Sequence, residues 1–408
     1  MKHILWSIGH KLEIEDIIKS DNCYLFDKNG EKYIDLLSGI WCTNVGHNNS
    51  RINAVITSQI NKITHTGYCY SNPIIEESAK TILEINNFNE GKCEFLNSGS
   101  EAVEFGMRVA RTITDKPLAL TFSDSYFGAY GEASVKNNKS WHIYNWLDCS
   151  CNKRNKGCIG ECDAFNNIPF ELIGTFLFEP GSSSGLVRFP SQKLINKIIE
   201  RIKQNDGIIV INEITTGIGR TGKWFGYQHY KILPDIVAMG KALGNGYPVS
   251  ATVISKSISQ LLEKKEFIYS QSHQNDPLGA KVAKEVIEII NGNKLLDRCV
   301  KLGDKLISGL NKIKNNNSII KEIRGRGLMI GIELFEQAEI IRLELQKRGF
   351  ILVKRSDVEV LRMDPALTIE EHDLESFLLN LEKILLDVKR KTANNVASDR
   401  SQPVCLIY

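Results

Sequence analysis

Three short runs, Gly174 to Phe178, Gly207 to Ile211 and Ala251 to Ile254, are apolar almost without interruption. A strand with one face in water alternates polar and apolar residues, so these runs predict strands covered on both faces at the centre of a sheet. Between residues 80 and 260 such runs alternate with helical patterns, the order that builds a mostly parallel sheet with helices on both faces. A crossover helix is expected behind Pro190 and Ser191, where Leu194, Ile195, Ile198, Ile199 and Ile202 recur at helical spacing. The predicted core is α/β.

At 408 residues the chain exceeds what a single core organises, so a second, smaller lobe is expected. A helix over Asn275 to Gly292, with Val282, Val286, Ile289 and Ile290 on one face, links the two. Beyond it come a helical pattern at Leu302 to Ile313 and strand-like runs at Gly327 to Leu334 and Phe350 to Val353. A final helix carries Leu374, Phe377, Leu378, Leu381 and Leu385. The expected division is a large domain over 51–300, an α+β lobe over 301–391 and a tail over 392–408.

Lys plus Arg number 51 against 48 Asp plus Glu, which leaves no field to attract nucleic acid or a membrane surface. The first ten residues lack the flank and apolar stretch of a signal peptide, and no later run approaches a bilayer span, so a cytoplasmic location is expected. Ten cysteines in a chain of this kind are then read as reduced thiols or metal ligands rather than disulfides. Small molecules are the expected ligands.

Four segments sit at the ends of predicted strands, where open α/β sheets bind ligands. Asn97-Ser98-Gly99-Ser100-Glu101 opens a helix whose free N–H groups suit a phosphate, although the same residues make an ordinary cap. Ser125-Tyr126-Phe127-Gly128 puts two aromatics in a turn, suited either to stacking on a flat ring or to core packing. Asn212-Glu213-Ile214-Thr215-Thr216 carries polar groups out of a buried strand, and something must satisfy them. Lys241 ends an apolar run before a glycine-rich turn, where burial would push its amine towards the nucleophilic form.

Ile211-Asn212-Glu213-Ile214, Thr216 to Phe225, Pro234-Asp235-Ile236 and Gly240-Lys241 together resemble the signature of class III pyridoxal-phosphate aminotransferases. The resemblance runs from about Asn22 to about Val388 and includes Tyr33-Ile34-Asp35, Ser38-Gly39-Ile40 and Gly46-His47. It implies fold type I, with an N-terminal segment over 1–50 packing with the small lobe. It also implies pyridoxal 5'-phosphate as cofactor, and an amino donor and a 2-oxo acid as substrates. By the same resemblance Lys241 holds the cofactor as a Schiff base, and Gly99 and Ser100 form the phosphate turn. Tyr126 stacks on the ring with Phe127 beside it, and Ile214 packs on the opposite face. Ser272 stands where the family reaches the phosphate of a neighbouring subunit, which implies a homodimer. Arg362 matches the arginine that grips a substrate carboxylate, and Trp41 lines the substrate pocket. Ser182-Ser183-Ser184-Gly185 lacks a glutamate that some members use to mask that arginine.

Asn212 departs from the family's aspartate, whose charge keeps the cofactor's ring nitrogen protonated. A neutral amide can donate to an unprotonated ring or accept from a protonated one, so a weaker electron sink is expected. Two alternatives follow: an amino-acid racemase or epimerase on the same scaffold, and a cofactor-binding protein with little catalysis. Cys149, Cys151, Cys158 and Cys162 have no necessary role in this chemistry, and no residue is assigned as a metal ligand. Four soft ligands in a short insertion could hold zinc or an iron–sulfur cluster, but Cys-x-Cys is not a standard finger spacing, and free thiols are the alternative.

Overall fold

A computed structural model describes residues 3–9, 11–67, 69–149, 151, 158–355 and 357–399. Near the N-terminus β1 (Ile17–Asp21), β2 (Tyr24–Asp27) and β3 (Lys32–Asp35) form an antiparallel meander. The main sheet contains β4 (Lys92–Leu96), β5 (Leu118–Phe122), β6 (Trp141–Tyr144), β7 (Ile173–Phe178), β8 (Ile208–Asn212), β9 (Ile236–Met239) and β10 (Ser250–Ile254). Their spatial order is β4-β10-β9-β8-β7-β5-β6. In this sheet β10 is antiparallel to both its neighbours, β4 and β9, and the remaining pairs are parallel. All residues of β7 to β10 are buried, as their unbroken apolar character requires.

Strand alternation divides the core between two faces. Ile208, Val210, Ile236 and Ala238 pack with Ala102, Val103 and Met107 of the helix Gly99–Ile113. Ile209, Ile211, Val237 and Met239 lie in the cluster that holds Leu194, Ile195, Ile198 and Ile202 of the crossover helix Gln192–Gln204. Ser191 caps that helix, its Oγ accepting the Leu194 N–H at 3.2 Å. Each fully buried Ile, Leu or Val stabilises the fold by roughly 1.5–3 kcal/mol relative to exposure, so both helix faces bind the sheet firmly.

After the helices Pro277–Gly292 and Leu295–Asn316 come β11 (Ile320–Arg326), β12 (Met329–Leu334), β13 (Phe350–Ile351), β14 (Val353–Lys354) and β15 (Val360–Met363). An antiparallel sheet of order β11-β12-β15-β14 forms from four of them, while β13 pairs in parallel with β3. The sequence pattern does not signal β11. Its Lys321 and Arg324 both pair with Glu333 of β12, so cross-strand charges rather than apolar alternation fasten it. The last helix, Glu371–Asp399, continues past Thr392, where the periodicity fades and a tail was expected. Neither glycine nor proline occurs between Thr392 and Asp399, so nothing in the sequence stops the backbone ladder there.

Candidate active site

Parallel register brings three segments to one edge of the main sheet. Phe178 lies opposite Ile211, and Asn212 opposite Ala238, so the residues that leave β7, β8 and β9 emerge side by side. These are Glu179, Asn212 and, two residues beyond β9, Lys241. This is the carboxyl edge, where open α/β sheets place their ligands.

Lys241 has a left-handed backbone, φ 45°, at the start of a short 3₁₀ turn, Lys241–Gly244. Burial pushes its amine down to about 8. Two cavities meet at this residue. The larger, of about 820 Å³, includes Trp41, Tyr126, Ser183, Arg362 and Lys241 in its lining. The smaller, of about 170 Å³, is lined by Gly99, Ser100, Tyr126, Phe127, Asn212 and Ile214 along with Ser183 and Lys241.

Trp41 is the floor shared by two cations: Lys241 Nζ lies 4.5 Å, and the Arg362 guanidinium carbon 3.5 Å, from its ring centroid. The chain reaches this position through Ser38, Gly39, Ile40 and Trp41, all with positive φ. Such a conformation costs roughly 1–2 kcal/mol per non-glycine residue, so surrounding contacts must impose it. Asp35 accepts the N–H groups of Leu37 and Gly39 at 2.8 and 2.7 Å, and Ser38 Oγ donates to Asp364 O at 2.7 Å. Arg220, fully buried, donates to Ser38 Oγ at 2.8 Å and also reaches Asn44 and Pro365.

Arg362, on β15, donates through Nε to Asp364 at 2.7 Å. Its two terminal nitrogens take no hydrogen bond among the described residues, and they form the fork that suits a carboxylate.

Gly99 and Ser100 head the helix Gly99–Ile113, where no carbonyl of a preceding turn reaches the first N–H groups. Ser98 and Glu101 close a capping box beside them: Ser98 Oγ accepts the Glu101 N–H at 3.2 Å, and Glu101 accepts that of Ser98 at 2.8 Å. A Cβ at Gly99 would stand 2.9 Å from Ile214 Cγ2, so glycine lets the helix end and Ile214 close on one another. Ser100 Oγ accepts the Ala129 N–H at 3.0 Å and anchors the turn that carries Tyr126 and Phe127. Tyr126 is half exposed, whereas Phe127 is buried and stacks on Trp141. Phe127 therefore combines the core and cavity roles that the sequence held apart.

Asn212 is buried, and its amide orientation follows from its neighbours. Nδ2 donates to Tyr126 O at 3.1 Å and Glu179 Oε1 at 3.3 Å, while Oδ1 accepts the Ile214 N–H at 3.1 Å. Reversing the amide would set its oxygen against two acceptors and its NH₂ against a donor. The Glu179 carboxylate also accepts Ser183 Oγ–H at 2.6 Å and the Tyr126 N–H at 3.0 Å. Burial raises it to about 7, against those hydrogen bonds. Glu179 directly follows the apolar run Gly174 to Phe178, and no sequence motif marks it, because its contact with Asn212 is made between strands. Glu213 turns the other way, where Gly226, Tyr227 and Thr216 satisfy it.

Ser272 is exposed and outside both cavities of its own chain. Asn97 Nδ2 donates to His273 O at 3.3 Å, which holds the Ser272 segment near the start of the Gly99 helix.

The smaller cavity suits a flat, phosphorylated ring: it has a helix start with open N–H groups, an aromatic and an aliphatic wall, and an amine partly freed of its proton. Thr215 Oγ1, buried with no partner among the described residues, adds one unmet polar atom in its lining.

The overall architecture is that of the fold-type-I pyridoxal-phosphate transferases. An S-selective transaminase from Arthrobacter sp. superimposes with a TM-score of 0.87 at 21% identity, over 95% of this chain and 97% of that one. The class III aminotransferase family model matches residues 9–385, and the chain belongs to that family. It is a pyridoxal-phosphate-dependent aminotransferase. It is 30% identical to a leucine/methionine racemase from Thermococcus litoralis, over 91% of this chain and 90% of the relative. It is 27% identical to an acetylornithine aminotransferase from Aquifex aeolicus, over 90% and 96%.

Proposed function

We propose that this aminotransferase moves the amino group of a carboxylate-bearing amino acid to a 2-oxo acid, with Lys241 holding the cofactor as a Schiff base and Arg362 receiving the substrate carboxylate. The shared Trp41 floor carries this reading, because it sets a depressed-pKa amine and an open guanidinium fork in one cavity. The cofactor, when bound, supplies the electron sink that makes a substrate Cα–H acidic. The chain's residues do the remainder. Gly99 and Ser100 present N–H groups to the phosphate, and Tyr126, Phe127 and Ile214 confine the ring. An amine near 8 can hold or release a proton at Nζ around neutral pH, as a group that moves the Cα proton must. Asn212, with both donor hydrogens and one acceptor position engaged, offers a ligand only an acceptor, so a ring nitrogen that meets it must carry a proton.

Ser272, exposed on its own chain, serves the neighbouring subunit of a homodimer in this reading. Exposed Tyr70, Tyr130 and Ile268 provide apolar surface for such a contact. The pairing of β3 with β13 supports a division into an N-terminal segment over 1–50 joined to the small lobe over 301–391, with the large domain over 51–300. Among the described residues no helix is long and apolar enough to cross a membrane, in keeping with a cytoplasmic enzyme.

The test is to supply single amino acids with single 2-oxo acids and to separate the products chromatographically. Formation of the new amino acid and the new oxo acid in equal amounts supports transfer. The likeness to a racemase favours a second reading, racemisation. Loss of optical purity in one amino acid without any oxo acid present would establish it.

A further inference from the structure

We propose that Cys149, Cys151, Cys158 and Cys162 form a structural zinc site at the outer edge of the main sheet. Their four Sγ atoms all lie within 4.8 Å of one another. Zinc–thiolate bonds of about 2.3 Å in a tetrahedron set the sulfurs about 3.8 Å apart, so one ion needs only small side-chain adjustments to take all four. An iron–sulfur cluster must fit several irons and inorganic sulfides between its thiolates and would hold them further apart. The finger spacing that the sequence lacks is thus replaced by folding.

Cys149, Cys158 and Cys162 are buried and Cys151 is half-buried, with no disulfide among them. Buried thiols often pack simply as small apolar groups, but that role does not draw four of them from one short connection to a single point. The surroundings also supply donors suited to thiolate sulfur. Tyr144 Oη lies 3.1 Å from Cys158 Sγ, and the Gly160 N–H donates to the same sulfur at 3.4 Å. Outer-shell donors of this kind fix metal ligands in place. Binding zinc converts the thiols to thiolates and releases their protons to solvent, with no change of oxidation state.

The site's position gives it a task. Tyr144 ends β6, the edge strand, and Asn145, Leu147 and Asp148 between it and Cys149 line the larger cavity. On the other side Ser191, which caps the crossover helix, donates to Cys158 O at 2.5 Å. A metal here pins the connection that leaves β6 to both the sheet edge and that helix, and so fixes one wall of the substrate cavity.

The experiment is elemental analysis of the purified holoenzyme, together with exchange of its metal for cobalt(II). The expected result is one zinc per chain and, after exchange, the intense visible bands and thiolate charge transfer of a tetrahedral four-sulfur site. Cys158→Ser and Cys162→Ser should lose the metal and melt at lower temperature, while borohydride still fixes the cofactor on Lys241. Should those variants fail to fold, mercurial titration of the wild type decides, since zinc must leave only as these thiols are consumed. Folded wild-type protein grown in zinc that holds no metal and takes up no cobalt overturns the proposal. Iron with acid-labile sulfide, disulfides among the four cysteines, or undiminished zinc in a Cys149→Ser/Cys158→Ser protein does the same.

Discussion

Asn212 donates from Nδ2 to Glu179 Oε1 across two neighbouring strands, at 3.3 Å. The carboxylate that the motif lacks at position 212 is thus present behind it on the neighbouring strand, and the intervening amide turns its oxygen away from Glu179 to the Ile214 N–H. Hydrogen-bond chains polarise each member in a low-dielectric site, so the Glu179 charge strengthens Asn212 as an acceptor. The cofactor's ring nitrogen is expected to be protonated at neutral pH, which ¹⁵N NMR with labelled cofactor would report. An unprotonated ring in the wild type sinks this relay. Asn212→Asp would set an acceptor against Tyr126 O and a second buried charge beside Glu179. It should cost about 1–3 kcal/mol in apoprotein stability and yield little gain in ring protonation.

The relay carries its own pH dependence. Glu179 stands at about 7 when folded against 4.5 as its reference, so it is protonated at acid pH and charged above neutrality. Asp124, Lys136 and Lys241 face it electrostatically. Its linkage contribution to apoprotein stability is fully present below 4.5 and lost as pH rises through 7, because the folded state binds the proton more tightly. Cofactor binding should run the opposite way and tighten as Glu179 ionises, with the midpoint drawn below 7 by the protonated ring. Equilibrium cofactor titrations between pH 5 and 9 check this, and affinity that falls steadily with rising pH would contradict it.

Lys241, lowered to about 8 chiefly by burial, is mostly charged at pH 6 and mostly free amine at pH 9. Reconstitution of apoprotein with pyridoxal phosphate should therefore quicken with pH and level off above about 8, as the nucleophilic form becomes dominant. Borohydride should fix the cofactor to wild-type protein and not to Lys241→Ala. Retention of the same reduced adduct by that variant would move the attachment to another lysine.

Much of this site was legible in the chain because each motif lies next to the strand that positions it. Uninterrupted apolar runs located β7, β8 and β10, and the end of β8 and the turn beyond β9 supplied Asn212 and Lys241. What stayed hidden depends on register and on distant segments. Glu179 becomes a partner of Asn212 only when β7 and β8 align, and the four cysteines become a cluster only in the folded chain. The left-handed turn at Ser38 to Trp41 was equally hidden, since nothing in Leu-Ser-Gly-Ile-Trp announces positive φ at Ile40. Contacts with Asp35, Asp364 and Arg220 impose it from outside the turn.

Ser272 gives a prediction that separates subunits. If its hydroxyl reaches a neighbour's cofactor phosphate, Ser272→Ala should weaken cofactor binding by roughly 0.5–1.5 kcal/mol while the Lys241 adduct still forms. Light scattering should find a dimer. A monomer that binds the cofactor with wild-type affinity would remove Ser272 from the site.

Arg362 gives the sharpest test of substrate class, because its geometry divides one side chain between two tasks. Nε is committed to Asp364, and the planar group rests on Trp41, so only the terminal nitrogens are offered to the cavity. Desolvated guanidinium–carboxylate pairs are strong, and removal of one partner costs roughly 2–5 kcal/mol. Arg362→Ala should therefore raise KM for amino acids and 2-oxo acids by a corresponding factor, with amines that lack a carboxylate unaffected. Arg362→Lys should recover little, since an ammonium cannot bond Asp364 and grip a carboxylate with two parallel donors. Trp41→Leu removes the ring beneath both cations and should weaken the same substrates by a smaller amount, roughly 0.5–2 kcal/mol. Steady-state kinetics with matched substrates, one carrying the carboxylate and one not, would decide: an equal loss for both assigns Arg362 to the fold rather than to recognition.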